Sequence, residues 1–140
     1  EGFGEEVKRR IMIGSYILSG KNAKEYYYKA LKVRKAMTNS FKETFKKYDL
    51  IIGPTNTDVA YKFGVLEDDA LKSFYDDLLT IPVNMAGLPA MSLPIGFNSK
   101  NLPIGMHIIG NYFEEDRIYQ LASFIESKLN LDTTPKGVSF

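Results

Sequence analysis

The chain lacks cysteine altogether and has a single histidine, His107, among its 140 residues. Without thiols, a disulfide, a cysteine nucleophile and a thiolate metal site are all excluded. One histidine excludes a site in which several imidazoles hold a metal, and a Ser-His-Asp triad would depend on that residue alone. Because His107 lies in an apolar run, we expect a structural interior or edge histidine and assign it no catalytic role.

Long apolar runs are also missing. No stretch approaches the roughly 18 apolar residues that cross a bilayer, and no signal peptide is visible. The formal net charge is only +1, which gives no general attraction to nucleic acid or anionic membranes. With 44% hydrophobic and 25% charged residues, the composition is that of an ordinary globular protein. We therefore expect one soluble, cytoplasmic domain.

Motifs that would place catalysis within this chain are absent from the sequence. Neither a phosphate-binding glycine loop nor a glycine-rich Ser-Ser segment occurs. Ser-Lys nucleophiles need such a turn, because it exposes the hydroxyl and supplies oxyanion donors. Ser92 lies in a strand pattern, and Ser99-Lys100 lies in an exposed turn. We expect no catalytic residue in this chain and no activity from it alone.

Apolar periodicity and Pro/Gly punctuation predict an α/β fold, a mixed sheet flanked by helices. The predicted helices span residues 5–18, 23–48, 68–79 and 114–129. The second has an apolar stripe along its length, at Tyr26, Ala30, Val33, Met37, Phe41 and Phe45, and the last has an apolar face at Ile118, Leu121, Ala122, Ile125 and Leu129. The predicted strands span 49–55, 90–97 and 104–109, and the apolar stretch 80–96 is interpreted as short buried strands separated by tight turns. We expect the domain to occupy residues 1–131, with a polar tail at 132–140.

Two features indicate that the sequence is a piece of a longer protein. The chain begins with Glu1 and enters a helix pattern almost at once. Three strands would also leave much of the sheet edge unpaired, so we expect the remainder of the protein to add strands.

Arg10 is a candidate binding residue because its helical neighbours are apolar. The residues three, four and seven positions away are Val7, Ile13, Gly14 and Ile17. A guanidinium in a partly dry site can donate two parallel hydrogen bonds to a carboxylate. The alternative is a structural ion pair with Glu6, one turn earlier.

Asp77 is the second candidate, on a helical face that is also largely apolar. It follows Phe74 by three residues and precedes Ile81 by four. An inward carboxylate could accept hydrogen bonds from an ammonium or an amide. The alternative is that Asp77 caps a neighbouring loop, whereas the adjacent Asp76 is interpreted as a surface residue paired with Lys72.

The second predicted helix is rich in positive charge. Nine basic residues lie between Lys21 and Lys47, against only Glu25 and Glu43. Three tyrosines, residues 26–28, lie among them. These residues could form a patch for RNA phosphates or a partner, or they could simply be the solvated face of a long surface helix.

Four segments, in order, resemble the C-terminal part of the amidase-signature enzymes. They read GFGEEVKRRI at 2–11, YDLIIGPT at 48–55, DLLTIPVNMAGLPA at 77–90 and PIGMHIIG at 103–110. Within that family the chain is most similar to the glutamine-hydrolysing A subunits of the amidotransferases that make Gln-tRNA(Gln). Residues 56–60 depart from the pattern, because the family usually places further Pro and Thr after its Gly-Pro-Thr.

The resemblance implies a parent enzyme that hydrolyses glutamine with a Ser-Ser-Lys triad from its other half. Ammonia would pass to a B subunit, which uses ATP and Mg to convert Glu-tRNA(Gln) to Gln-tRNA(Gln), and a small C subunit would hold the other two together. The resemblance further implies that Arg10 binds the α-carboxylate of glutamine and Asp77 its α-ammonium. The alternatives are a stand-alone amidase of the same family or a non-catalytic module that binds RNA or a partner.

Overall fold

The computed structural model describes residues 2–62 and 75–132. These residues form α1 (Glu5–Leu18), α2 (Gly20–Asn22), a π-helix (Ala23–Tyr27), α3 (Tyr28–Thr44), β1 (Leu50–Pro54), α4 (Ile81–Ala86), β2 (Ala90–Phe97), β3 (Pro103–Gly110) and α5 (Glu115–Leu129). Most of the predicted helix at 68–79, and the predicted tail beyond Asp132, lie outside the described residues. Among the residues that are placed, no helix has the length and apolarity that crossing a membrane requires.

The three described strands form one sheet in the order β1-β3-β2. β3 is the central strand and pairs antiparallel with both neighbours, for example with Leu50 of β1 opposite Gly110. A register shift between Pro94 and Gly96 interrupts the pairing of β2. The predicted sheet flanked by helices is confirmed. Every pairing within the described residues is antiparallel, so the parallel pairing that a mixed sheet would also contain is not among them.

Each face of the sheet has its own core, because successive residues of β3 point to opposite sides. On the Ile109 side, the core consists of the buried residues Val83, Ala86, Leu88 and Ile109, with Phe41, Phe45, Ile51 and Tyr112 packed against them. On the Ile108 side, it consists of Leu93, Ile108, Ile118 and Ala122, with Leu50, Met91, Met106, Leu121 and Ile125 around them. The apolar face predicted for α5 is thus confirmed except at Leu129, which is 42% exposed.

The prediction of short strands was wrong for residues 81–86, which form α4. Pro82 lies in the first turn, where its missing N–H is not needed for the helix. Gly87 adopts a left-handed conformation at φ 75° and donates to the carbonyl of Asn84, while the Leu88 N–H donates to the carbonyl of Val83. These two bonds form a Schellman end, so Pro and Gly here bound a helix rather than a strand.

The long second helix was predicted with one apolar stripe along its whole length, and only its carboxyl end follows that prediction. Phe41 and Phe45 pack against the core, whereas Tyr26 is 49% exposed and Val33 is 58% exposed. The π-helix also interrupts the α-helical register at residues 23–27. Among the described residues, the part of α3 that lies against α4 packs on the domain, whereas the amino-terminal part of the stripe faces solvent.

Candidate substrate-recognition site

Arg10 lies on α1, a helix with no buried residue. Glu5 and Glu6 in its first turn favour the helix, because acidic side chains stabilise the positive end of the helix dipole. The Arg10 Nε atom donates to Glu6 Oε1 at 2.8 Å, and Arg9 also pairs with Glu6. These bonds from Arg10 and Arg9 hold the pKa of the Glu6 carboxyl below its usual range. The ion pair considered as the alternative for Arg10 is therefore present.

The ion pair with Glu6 leaves much of the Arg10 guanidinium available. The side chain is 66% exposed, and only Nε takes part in the bond to Glu6. Within residues 2–62 and 75–132, no hydrogen bond engages its two terminal Nη groups. Two parallel N–H donors can thus still meet a carboxylate without breaking the contact to Glu6.

Asp77 lies in the turn at residues 77–80 that leads into α4, so its predicted place on a helical face was wrong. Its backbone carbonyl accepts from the Thr80 N–H at 3.2 Å, the Ile81 N–H at 2.9 Å and the Thr80 hydroxyl at 3.3 Å. Its side chain is exposed, and among the described residues no donor engages the carboxylate. The main chain of Asp77 is therefore fixed, while its carboxylate caps no loop in the described part of the chain.

The structure places Arg10 and Asp77 on separate elements and leaves both exposed. The main packing contacts of α1 are with α2 and the π-helix that follow it. No hydrogen bond or ion pair between described residues joins the two side chains. Their joint role at a substrate stays a prediction.

His107 is buried at the centre of the sheet, and desolvation lowers its pKa below the ordinary value of 6.5. It lies opposite Gly53 of β1 and Ser92 of β2. The Ser92 hydroxyl is instead bonded to the Thr55 hydroxyl at 2.7 Å. Among the described hydrogen bonds none links Ser92 to the imidazole, so the two do not form a nucleophile and base pair.

An open groove beside this hydroxyl pair was not predicted from the sequence. It has a volume of about 490 Å³ and is lined in part by Thr55, Asn56, Asp58 and Ser92. Gly105 also lines the groove, and a β-carbon there would lie 2.8 Å from Ser92 Oγ. No local motif marks this groove, since it exists only once the register of β1, β2 and β3 is known. Across the described ranges, no group of three or more acidic or histidine side chains could hold a metal ion.

Comparison with known proteins identifies the class of this chain. The model of the amidase family, described as Amidase, matches residues 1–119. The chain therefore belongs to the amidase family. It is 51% identical over 122 residues to the A subunit of the Glutamyl-tRNA(Gln) amidotransferase of Oceanobacillus iheyensis, a match that covers 87% of this chain and 25% of that protein.

Two further matches are also A subunits of this amidotransferase, from other organisms. The corresponding A subunit from Bacillus mycoides is 47% identical over 133 residues, covering 95% of this chain and 27% of its own length. The crystal structure of the Glutamyl-tRNA(Gln) amidotransferase A subunit from Thermotoga maritima superposes with a TM-score of 0.74 at 41% identity, over 99% of this chain and 30% of that one. The chain thus spans about a quarter of the length of the curated relatives it matches.

Proposed function

We propose that this chain is part of the glutamine-hydrolysing A subunit of a Glu-tRNA(Gln) amidotransferase and forms one wall of its glutamine site. The observation that carries the proposal is the identity of 47–51% to proteins of that name, extending over 87–95% of this chain. A parent enzyme of this kind would release ammonia from glutamine for the conversion of Glu-tRNA(Gln) to Gln-tRNA(Gln). In this proposal the B and C subunits, ATP and Mg belong to the parent complex, and this chain binds no cofactor itself.

In this proposal the chain recognises the substrate and leaves the bond cleavage to a Ser-Ser-Lys triad elsewhere in the parent protein. Free glutamine carries an α-carboxylate and an α-ammonium at one end and the reactive amide at the other. Arg10 binds the carboxylate through its two unengaged Nη groups, and Asp77 accepts hydrogen bonds from the ammonium. Holding both charges fixes the position of the amide carbon, so that the serine hydroxyl can attack it and ammonia can leave.

The local geometry supports this division of roles. Glu6 holds Arg10 through Nε, and among the described residues neither Nη group has a hydrogen-bond partner. The main chain of Asp77 is held by three hydrogen bonds to its carbonyl, which fixes where the free carboxylate begins. Among the described residues, Arg10 is thus held at Nε with its Nη groups unengaged, and Asp77 is held at its carbonyl with its carboxylate unengaged.

The experiment is a segment exchange in the Oceanobacillus iheyensis relative. This chain replaces the 122 matching residues of that protein, and glutaminase kinetics are measured in the holoenzyme. We expect Arg10→Ala and Asp77→Ala each to raise the KM for glutamine by about tenfold or more, because each removes a charge-assisted contact. Matched controls are Arg9→Ala and Asp76→Ala, which delete the same charges one residue away. An unchanged glutamine KM in both Arg10→Ala and Asp77→Ala would exclude the assignment.

Two substrate analogues assign each charge to its residue. Glutaramate lacks the α-ammonium and 4-aminobutanamide lacks the α-carboxylate. We expect Asp77→Ala to lose the preference for glutamine over glutaramate, and Arg10→Ala to lose the preference for glutamine over 4-aminobutanamide. The competing hypothesis, a stand-alone amidase acting on simple amides, predicts that the parent enzyme does not discriminate among these three compounds.

A further inference from the structure

A line of exposed basic and aromatic side chains follows the helical segments that lead into α3. It consists of Lys21, Lys24, Tyr28, Lys32 and Lys35, which we name the lysine–tyrosine face. Within α3, residues 28, 32 and 35 recur at steps of four and three, so they lie on one side of that helix. At 1.5 Å per residue, the face runs for about 20 Å.

The positive charge of this face is not neutralised within the described part of the chain. Lys8 and Lys46, on other surfaces, pair with Glu5 and Glu43 at 2.8 Å and 2.7 Å. In the described ranges, none of the four lysines of the face has an acidic partner within ion-pair distance. Glu25 is the sole carboxylate in the sequence between Lys21 and Lys42. A helical line of unpaired cations attracts polyanions.

The orientation of the face is fixed by contacts on the other side of α3. Arg34 Nε donates to the Met85 carbonyl of α4 at 2.7 Å. Two to three turns further along, Phe41 and Phe45 pack into the core beside Ile109. Because these contacts hold one side of α3 against the domain, the lysines at 32 and 35 are held on its outer side.

Tyr28, a member of the face, and its chain neighbours Tyr26 and Tyr27 have exposed rings, which indicate the kind of polyanion that binds. Tyr26, Tyr27 and Tyr28 are 49%, 41% and 54% exposed, and the rings of Tyr27 and Tyr28 meet edge to face at 5.6 Å. An acidic protein surface could bind through the lysines alone and would make no use of exposed aromatic rings. Nucleic acid offers phosphates for lysine and base faces for aromatic rings, so cations interleaved with tyrosines favour it.

We propose that the lysine–tyrosine face is a binding site for RNA, contacting phosphates through its lysines and an unstacked base or sugar edge through Tyr28. The choice of tRNA as the RNA rests on the proposed function, whereas the site itself rests on the charges and rings described here. Glutamine recognition by Arg10 and Asp77 is a separate event, and neither residue belongs to the face.

The test measures binding of the 140-residue chain to a labelled tRNA transcript by fluorescence anisotropy over a salt series. In the quadruple variant K21Q/K24Q/K32Q/K35Q, we expect affinity to fall at least about tenfold and the slope of log K against log salt to drop by about 3 to 4. The matched control, K8Q/K46Q/K100Q/K128Q, removes the same charge elsewhere and is expected to retain most of the affinity. The quadruple change to arginine keeps the charge and is expected to restore binding, with circular dichroism confirming the same helix content.

Two further arms separate RNA from other occupants. Tyr28→Leu is expected to weaken tRNA binding several-fold while leaving the salt slope unchanged, because stacking is not a counterion effect. Polyglutamate that competes as well as tRNA would overturn the proposal in favour of an acidic protein partner. Absence of binding by the unmodified chain at about 50 mM salt, where electrostatic contacts are strong, would also overturn it. Arg10→Ala and Asp77→Ala should not alter tRNA binding, so this test and the glutamine test fail independently.

Discussion

The amino-terminal arm, residues 5–35, and the sheet half, residues 81–129, are held in different ways. None of the helical elements of the arm contains a buried residue, whereas every buried residue of the described core lies between Val83 and Ala122. The arm depends on helical hydrogen bonds and on ion pairs one turn apart, such as Glu5 with Lys8 and Glu6 with Arg10. The sheet half depends on apolar burial. The candidate binding groups Arg10 and the lysine–tyrosine face both lie on the arm.

Apolar side chains therefore contribute differently to stability in the two halves. Met12 on α1 is 65% exposed, and Tyr16 is 61% exposed. Ile108 of β3 is fully enclosed at 0% exposure. Burial of an apolar side chain contributes about 1.5–3 kcal/mol relative to exposure, so the free energy of unfolding resides mainly in the sheet half.

The largest expected effect comes from truncating one apolar side chain in each half. Ile108→Ala leaves a cavity between Leu93, Ile118 and Ala122, and we expect it to lower the free energy of unfolding by about 3–4 kcal/mol. Met12→Ala removes a side chain that faces solvent, and we expect a change below about 0.5 kcal/mol. Urea unfolding followed by circular dichroism measures both. Equal costs for the two variants would mean that the arm is packed as tightly as the sheet.

The same glycine substitution should act in opposite directions in the two halves. At Gly105 a β-carbon would lie 2.8 Å from Ser92 Oγ and 3.0 Å from Thr55 Oγ1, so we expect Gly105→Ala to destabilise the protein by about 1 kcal/mol. At Gly14, within α1, a β-carbon meets nothing within 4 Å. Gly14→Ala should therefore increase helix content, since glycine is unfavourable inside a helix by about 0.5–1 kcal/mol.

A double variant gives the control for Gly105. Ser92→Ala removes the oxygen that a new β-carbon would strike, so Gly105→Ala should cost less in the Ser92→Ala background than in the unmodified chain. If the cost is the same in both backgrounds, the contact with Ser92 Oγ is not its cause.

A smaller effect should appear as a dependence of sheet stability on pH. Burial lowers the pKa of His107, so the unfolded chain takes up a proton at a higher pH than the folded chain. Stability from this residue is complete above the unfolded pKa of 6.5 and falls as the pH decreases toward the lower folded pKa.

Because His107 is the sole histidine of the chain, no other histidine contributes to the pH dependence of stability in this range. Urea midpoints measured at about pH 7.5 and about pH 5.5 bracket the histidine and lie above most carboxyl titrations. We expect the unmodified chain to lose stability between these values and His107→Gln to lose less. Identical losses in the two proteins would rule out His107 as the source.

The smallest expected effect concerns the arm. Glu6 accepts from Arg9 and Arg10, and its pKa is lowered by those bonds, so its contribution is present above the usual glutamate pKa and disappears as the pH falls through its folded value. We expect Glu6→Gln to lower the helix content slightly near neutral pH, as read by circular dichroism. Added salt should reduce the difference between the two proteins, because both partners are exposed. A difference that is insensitive to salt would contradict this explanation.

The elements that the sequence predicted well are those with an unbroken period. β2 was predicted at its observed bounds, and α5 within one residue, because alternation and a 3.6-residue apolar repeat persist through each. α4 was missed because six residues are too few to establish a helical period, and Pro82 and Gly87 were interpreted as turn residues. The exposed part of the predicted stripe on α3 was misassigned because periodicity identifies an apolar face but not whether anything covers it.

Of the residues at the candidate site and the groove, some were predicted from the sequence and others were not. Arg10 and Asp77 were found from helical spacing and from resemblance to a family, and their joint role remains a prediction. The Thr55–Ser92 hydroxyl pair was not found, because these residues are 37 positions apart and meet only through the register of three strands. A local sequence pattern does not reveal strand register, so it could not predict this pair.

The position of β3 has a consequence for how the chain is synthesised. β3 leaves the ribosome after β1 and β2, yet it lies between them and supplies the described hydrogen-bonding partners of both. Within the described sheet, β1 therefore cannot begin to pair as soon as it is synthesised. Leu50 can pair with Gly110 only after a further 60 residues have been translated.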